Sequence, residues 1–437
     1  MVSDINIFKS HPNKLLLDHI DGVINNVKQL TSSKLAELIA VFHDLGKMNP
    51  YFQKKLLIEG KSTKYSNHAY LSAYVFFCVF AGSKNNQQVL KHFLGWSELT
   101  KNDIIGISVL IAKHHSNIPD FQPINYKGDG VSILDKTEND NLFSFLSQVE
   151  MPITEYVNHY FTVDDFLKFI DNNNYQSVYR NHLCFNENDN IKALNFYLDY
   201  QYAFSCLIQS DKADAAEFDN FIDQQKHDVS DFCNIYSSKL DFYLLSLQQN
   251  TELNKLRTKI RNEVVTNLQT NIQKGRIFEL TAPTGSGKTL MLLSLASEIM
   301  KQTGAKRIIY GLPFLSITEQ VETEVLSIFQ GFEKYIQRID SKSENTRFET
   351  LQDELDGNPQ EKTIKELSLI EFQENTFSYP FVITTFVRFF ETLLSNRNSE
   401  LLKLPNFSNC IFLLDGKPSV KPYSRSLNNL RTFACEL

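Results

Sequence analysis

Residues 276–289 read Arg-Ile-Phe-Glu-Leu-Thr-Ala-Pro-Thr-Gly-Ser-Gly-Lys-Thr. A short apolar run enters a Gly-rich loop, and the run Leu290–Met300 then supplies a helix. Few folds accommodate this order. A strand, a tight loop and a helix in succession suit a βαβ unit of a parallel sheet. Gly285 and Gly287 let backbone N–H groups turn toward phosphates, with Thr284 and Ser286 between and before them. Lys288 is expected to reach the β/γ-phosphates and Thr289 to bind Mg²⁺. The helix N-terminus favours an anion. The general pattern asks for Gly where Ala282 stands. ATP with Mg²⁺ is the expected ligand of this loop.

Apolar runs at Ile277–Leu280, Ile308–Tyr310, Phe381–Thr384 and Ile411–Leu414 are expected strands, several of them separated by helical patterns. Leu253, Leu256, Ile260, Val264, Leu268 and Ile272 mark a helix just ahead of them. Ser341 to about Thr376 is polar and reads as an insertion or long loop. The earlier part of the chain differs in style. Ser32-Ser33 can cap a helix with Leu35, Leu38, Ile39 and Phe42 on one face. Thr100 with Asp103 forms a capping-box pattern ahead of an Ile/Leu-rich helix running to about His114. Another helix is expected from Ala193 to about Ser210, and a loop over Asn117–Asn141. The change of style near residue 250 divides the chain into a helical domain, 1–245, and an α/β domain, 246–437.

Composition narrows the classes. Of 437 residues, 42% are hydrophobic and 22% charged, which excludes a disordered chain. The net charge of −7 argues against a coat of positive charge for nucleic acid, though a local basic groove stays open. Six scattered cysteines without a CxxC pair suit a reducing cytoplasm. The N-terminus lacks an apolar h-region. The uncharged run Ala69–Gly82 is too short to span a bilayer and suits a buried helix. A cytoplasmic protein with no membrane partner is expected.

The helical domain carries an ordered set of metal-binding residue types. His19 is followed by His43-Asp44-Leu45-Gly46-Lys47, then His68, then His114-His115, then Asp211. Adjacent His and Asp at a helix end can put an imidazole nitrogen and a carboxylate on one ion. Lys47 lies one turn beyond His43, within reach of an anionic substrate. Any one histidine alone is as well explained by a satisfied core or surface position. His11, His92, His159, His182 and His227 fit no position of the pattern.

The order His, His-Asp, His, His-His, Asp resembles the HD-type metal-dependent phosphohydrolases. It looks most like the nuclease domain of the CRISPR-associated helicase-nuclease of type I systems. The resemblance covers most of the first 220 residues. It implies two divalent ions (Mn, Fe, Co, Ni or Mg). One would take His19, His43, Asp44 and Asp211; the other Asp44, His68, His114 and His115. Asp44 and Lys47 would be catalytic, Lys47 by neutralising charge on the scissile phosphate. Two cations about 3.5–4 Å apart can activate a water and stabilise the leaving oxygen.

The second half extends this resemblance. Ala-Pro-Thr-Gly-Ser-Gly-Lys-Thr is the common helicase form of the phosphate loop. Ile308–Ile317 with Gln320, and Phe381–Thr385 with Phe389-Phe390-Glu391, resemble two DNA-facing motifs of superfamily 2 helicases. Thr and Ser hydroxyls there would contact a single strand. Plain strand and helix core is the competing explanation of both segments. Cys410–Leu414 followed by Asp415 resembles the acidic strand that holds Mg²⁺. The family then has Glu to activate water; here Gly416 and Lys417-Pro418 follow. Divergence, deliberate change and a short compensated frameshift stay open. Ser419–Tyr423 resembles the family's pattern again.

The resemblance therefore implies a multidomain chain: an all-α HD-type nuclease domain, then a partial α/β RecA-like lobe with a parallel sheet, truncated within that first lobe. The implied activity is metal-dependent cleavage of single-stranded DNA in CRISPR defence, with a guide-RNA surveillance complex as partner. In complete relatives this is coupled to ATP-driven 3′–5′ translocation, expected to be impaired here. An HD phosphohydrolase acting on nucleotides, or a catalytically silent DNA- or complex-binding remnant, are the alternatives.

Overall fold

A computed structural model of the chain describes residues 5–57, 68–119, 139–169, 190–218, 220–247, 251–341 and 361–416. Two compact units emerge. The first comprises Met1–Ile222 with Asn396–Pro405, the second Asp223–Ser395 with Asn406–Leu437.

The first unit is helical. A small antiparallel hairpin, β1 (Lys9–His11) and β2 (Lys14–Leu15), leads into α1 (Leu16–Leu30) and α2 (Lys34–Phe42). Next come α3 (Pro50–Leu57), α4 (Ala69–Ala81), α5 (Lys84–Leu94), α6 (Lys101–Lys113), α7 (Asn139–Tyr160) and α8 (Asn190–Ala215). Local sequence explains the starts. Ser33 accepts a bond from the Ala36 N–H at 3.3 Å and caps α2. Thr100 and Asp103 form the reciprocal capping box of α6, with Thr100 N–H donating to Asp103 at 2.6 Å. The Ala69–Gly82 run folds as α4, apolar on nearly every side and therefore buried, packed against α6. Helices α1 and α2 pack on α8. Behind the end of α2, Phe42 meets Phe76, Phe80 and Phe161 at ring separations of 5.1, 5.9 and 5.9 Å. The buried Tyr156 hydroxyl donates to the Val41 carbonyl. Most of the stretch expected as a loop, 117–141, lies outside the described residues. Among the described residues, no helix is long and apolar enough to cross a membrane.

The second unit is α/β. Its elements are α9 (Phe221–Ser246, the first two residues belonging to the first unit), α10 (Glu252–Asn271), α11 (Lys288–Thr303), β3 (Arg307–Leu312), α12 (Leu315–Ile328), β4 (Ile336–Ile339), α13 (Glu361–Asn375), β5 (Phe381–Thr385) and α14 (Phe386–Leu394). A short helix of the first unit, α15 (Asn398–Leu401), then precedes β6 (Cys410–Leu414). The sheet is parallel, in the order β4-β5-β3-β6. Ile308 of the fully buried β3 pairs with Phe381 on one side and Ile411 on the other. Phe232, Tyr236 and Leu240 of α9 share one apolar core with this sheet. Compactness thus assigns α9 to the α/β unit, upstream of the change in sequence style.

Two expectations are corrected, and one element is new. Ile277–Leu280 is not a strand: among the described residues it joins no ladder, and Ile277 and Phe278 are exposed. An apolar run becomes a strand only where a neighbour meets its N–H and C=O groups. Within the polar stretch 341–376, residues 361–375 form α13 rather than loop. β4, only four residues long with half-buried Gln337 and Arg338 between its ends, was not anticipated. Ser419–Tyr423 lies outside the described residues.

Candidate metal centre and phosphate loop

The His/Asp series converges within the first unit. His19 stands in the first turn of α1, His43 caps the C-terminus of α2, and Asp44 follows it. His68 precedes α4, His114 caps the C-terminus of α6, and Asp211 lies on α8. One ligand atom from each of His19, His43, Asp44 and Asp211 falls within 4.8 Å of the others. The same holds for Asp44, His68, His114 and His115. Asp44 belongs to both sets. Its Oδ2 lies 3.0 Å from His19 Nε2 and its Oδ1 2.9 Å from His68 Nε2.

Neighbouring backbone aims the rings. The His43 Nδ1–H donates to the Ala40 carbonyl and the His114 Nδ1–H to the Ile111 carbonyl, each at 2.7 Å. A carbonyl only accepts, so both tautomers are fixed with Nε2 toward the centre. His19 instead turns Nδ1 to Asp214, which Lys14 meets at 2.7 Å. The short helix Leu45–Met48 places Lys47 Nζ 2.5 Å from Asp44 Oδ2. Gly46 permits this turn to approach α4. A Cβ there would stand 2.1 Å from the His68 carbonyl oxygen.

These residues fit metal ions. Nε2 of His19, His43 and His114 and Oδ1 of Asp44 are buried without a hydrogen-bond partner. They lie near one another without hydrogen-bond geometry, a cost that coordination would remove. Electrostatics agree. Burial raises the Asp44 carboxyl, but Lys47, His43 and His68 outweigh it and hold Asp44 well below the usual carboxylate range. Burial pushes His68 down to about 4 and His115 down to about 3, so both are neutral at pH 7 and able to ligate. Burial also opposes charge on His19, but Asp211, Asp214 and Asp44 override it and push that ring up to about 10, so an ion held there would have to displace the Nε2 proton. His11, assigned no role, packs edge-on against His19 at 5.1 Å and lies outside both sets.

In the second unit the Gly-rich loop precedes α11. Ser286 N–H donates to the Pro283 carbonyl at 3.3 Å, and Gly285 and Gly287 have φ of 81° and 85°. Both are left-handed conformations that favour glycine. Thr284 is exposed; Lys288 opens the helix and Thr289 follows. Arg257 of α10 donates to the Gly285 carbonyl through Nη2 at 2.6 Å. Asp415 at the end of β6 accepts from the Tyr310 hydroxyl at 3.1 Å, and that hydroxyl also bonds Thr289. Tyr310 thereby gathers the two residues expected to serve Mg²⁺. Gly416 follows at φ 123°, where a Cβ would meet Pro313 Cγ at 3.1 Å. The Thr384 hydroxyl, expected to face DNA, is buried and donates to the Ile339 carbonyl at 2.8 Å; Thr385 caps α14. Both hydroxyls serve the fold.

Sequence reasoning missed Asp214, Lys14 and Tyr310. Asp214 had a faint signal, since it lies one turn beyond Asp211 on the same helix. Lys14 and Tyr310 had none, because their partners are distant in sequence.

Comparisons with known proteins complete the description. Residues 245–413 match the family described as Type III restriction enzyme, res subunit. The chain shares its fold with T. fusca Cas3, at a TM-score of 0.54 and 13% identity. T. fusca Cas3-ATP and Cas3-ADP give 0.53 at the same identity. Each alignment covers 98% of this chain and 48% of the other, so this chain spans about half the length of those proteins. None of the curated proteins compared matches the sequence.

Proposed function

We propose that the first unit is a metal-dependent nuclease acting on single-stranded DNA in type I CRISPR defence. The observation that carries this reading is the pair of His/Asp sets sharing Asp44, with buried Nε2 atoms that lack hydrogen bonds. His19, His43, Asp44 and Asp211 would hold one divalent ion, and Asp44, His68, His114 and His115 the other. Ions bound there supply an activated water and neutralise charge on a phosphodiester. The remaining chemistry belongs to the chain. Asp44, kept ionised by Lys47 and its histidines, offers one oxygen to each set. His43 and His114 present Nε2 because their Nδ1–H groups are committed to carbonyls. Lys47 contributes positive charge beside the place where an anionic phosphate would sit. His115 is the exposed member of its set.

The second unit is proposed to bind ATP with Mg²⁺ through Thr284, Gly285, Ser286, Gly287, Lys288, Thr289 and Asp415. Gly416 leaves no carboxylate where the resembled helicases have their water-activating Glu, and such groups contribute about 10²–10⁴-fold. Slow ATP turnover follows. The fold shared with Cas3 supports a guide-RNA surveillance complex as partner and the cytoplasm as location.

Cleavage of a single-stranded DNA oligomer with added Mn²⁺, together with metal analysis, tests the reading. Wild-type chain should bind two ions and cut; Asp44→Ala should do neither while remaining folded by circular dichroism. Uncut DNA and no bound metal would overturn it. Phosphate release from small nucleotides in place of DNA cleavage would favour a nucleotide phosphohydrolase. Lys288→Ala should abolish ATP binding and leave Mn²⁺-dependent cleavage by the isolated chain unchanged.

A further inference from the structure

The helical unit is not encoded by a contiguous stretch. Asn396–Pro405 belongs to it, although the residues on either side belong to the α/β unit. This strap is well anchored: Leu401 and Leu404 are fully buried, and α15 packs on α8, the helix that carries Asp211.

Its polar contacts converge on the residues that follow α6. Ile118 N–H donates to the Asn396 carbonyl at 3.0 Å, and the Asn396 amide donates back to the Ile118 carbonyl at 2.8 Å. Asn398 N–H donates to Asn117 Oδ1 at 3.1 Å, and the Asn398 Nδ2–H donates to the His114 carbonyl at 2.9 Å. His114 is the C-cap of α6, where carbonyls lose their intrahelical partners. Asn398 supplies that partner at the residue beside His115. The His114 ring has its own tether to Ile111, whereas His115 is exposed and its ring meets His68 Nε2 at 2.9 Å. The backbone that delivers His115 is therefore stitched to the strap on both sides, at His114 and at Asn117–Ile118.

We propose that Asn398, assisted by Asn396, is a positioning residue for the second ligand set. It holds the His114–Ile118 backbone so that His115 stays with His68 and Asp44. The proposal rests on the two-ion reading above. It assigns to a segment far along the chain a role in the His-His pair. Asn398 is itself a member of neither ligand set.

The test uses the full chain and Co²⁺ or Mn²⁺ as probe. Binding is followed calorimetrically and, for Co²⁺, by its ligand-field absorption; His115→Ala is the reference for loss of the second ion. Wild-type protein should bind two equivalents. Asn398→Ala should weaken one of them about 10–100-fold, the range for lost support of a ligand. The other equivalent and the unfolding temperature should hold. Asn398→Asp keeps the shape but cannot donate to the His114 carbonyl, and should behave like Asn398→Ala. Asn398→Gln, which keeps the donor, should recover part of the affinity. Two equivalents at unchanged affinity in Asn398→Ala would overturn the proposal and leave the two-ion reading intact. Equal weakening of both ions with a fall in unfolding temperature would also overturn it, as a role in folding alone. Failure of wild-type chain to bind two ions would overturn the underlying reading itself.

Discussion

Gly46→Ala gives a sharp account of how the fold and the metal sets depend on each other. The added Cβ would stand 2.1 Å from the His68 carbonyl oxygen and 3.0 Å from Ser72 Oγ. Ordinary contact starts near 3.4 Å, so the turn and α4 must separate by about 1.3 Å. The first obstacle is backbone, which no rotamer change can move aside. That carbonyl already accepts the Ser72 N–H at 2.9 Å, and the Ser72 hydroxyl accepts the Gly46 N–H at 2.8 Å. Opening the contact strains or breaks the Gly46–Ser72 bond, which spans it, while the bond within α4 stays on one side. Overpacking costs about 1–3 kcal/mol, and a buried donor left without its partner about 1–3 kcal/mol more. The two share one displacement, so a combined loss of about 2–4 kcal/mol is expected. The same shift pulls His68 Nε2 from Asp44 Oδ1, now 2.9 Å away. A misplacement of about 1 Å can cost 10²-fold in a site of this kind. Urea unfolding gives the stability change, and metal analysis with single-stranded DNA cleavage gives the consequence for the site. A variant within about 0.5 kcal/mol of wild type that still binds two ions would refute the reasoning, since 0.5 kcal/mol is the scale of an inert surface change.

Two further outcomes follow from contacts already described. Asp214→Ala should weaken the ion expected at His19, His43, Asp44 and Asp211 by about 10–100-fold, because it removes the carboxylate that aims His19; calorimetry with Mn²⁺ checks this, and Asp214→Asn should retain more affinity. Thr100→Ala should destabilise the helical unit by about 1 kcal/mol through loss of the capping box, measured by urea unfolding, with metal binding unchanged.

The legible parts of the fold were those with local causes. Ser33, the Thr100/Asp103 box and the apolar face of α10 could be placed because each signal lies within a few residues of the structure it specifies. The His/Asp order pointed to residues that the fold does bring together, although roughly 190 residues separate the ends of that series in sequence. What escaped depended on partners elsewhere. Ile277–Leu280 has a strand's composition but no neighbouring ladder among the described residues, whereas Ile336–Ile339, with two polar residues, becomes a strand because β5 pairs with it. Asp214 and Asn398 act through His19 and His114, and neither belongs to a residue pattern that marks such support.

The matched tethers of His43 and His114 have a consequence for how such a centre tolerates change. Each ring hangs from a carbonyl three residues earlier, in the last turn of its own helix. Aim is therefore a property of four consecutive residues, portable to any helix end. Spacing is different: the 5.2 Å between those two rings depends on how α2 and α6 pack in the surrounding core. Substitutions in that core would act as a ruler for the centre, altering the span between correctly aimed ligands. His43 and His114 belong to different ligand sets, so such variants would change the separation of the two sets while the ligands within each stay in place.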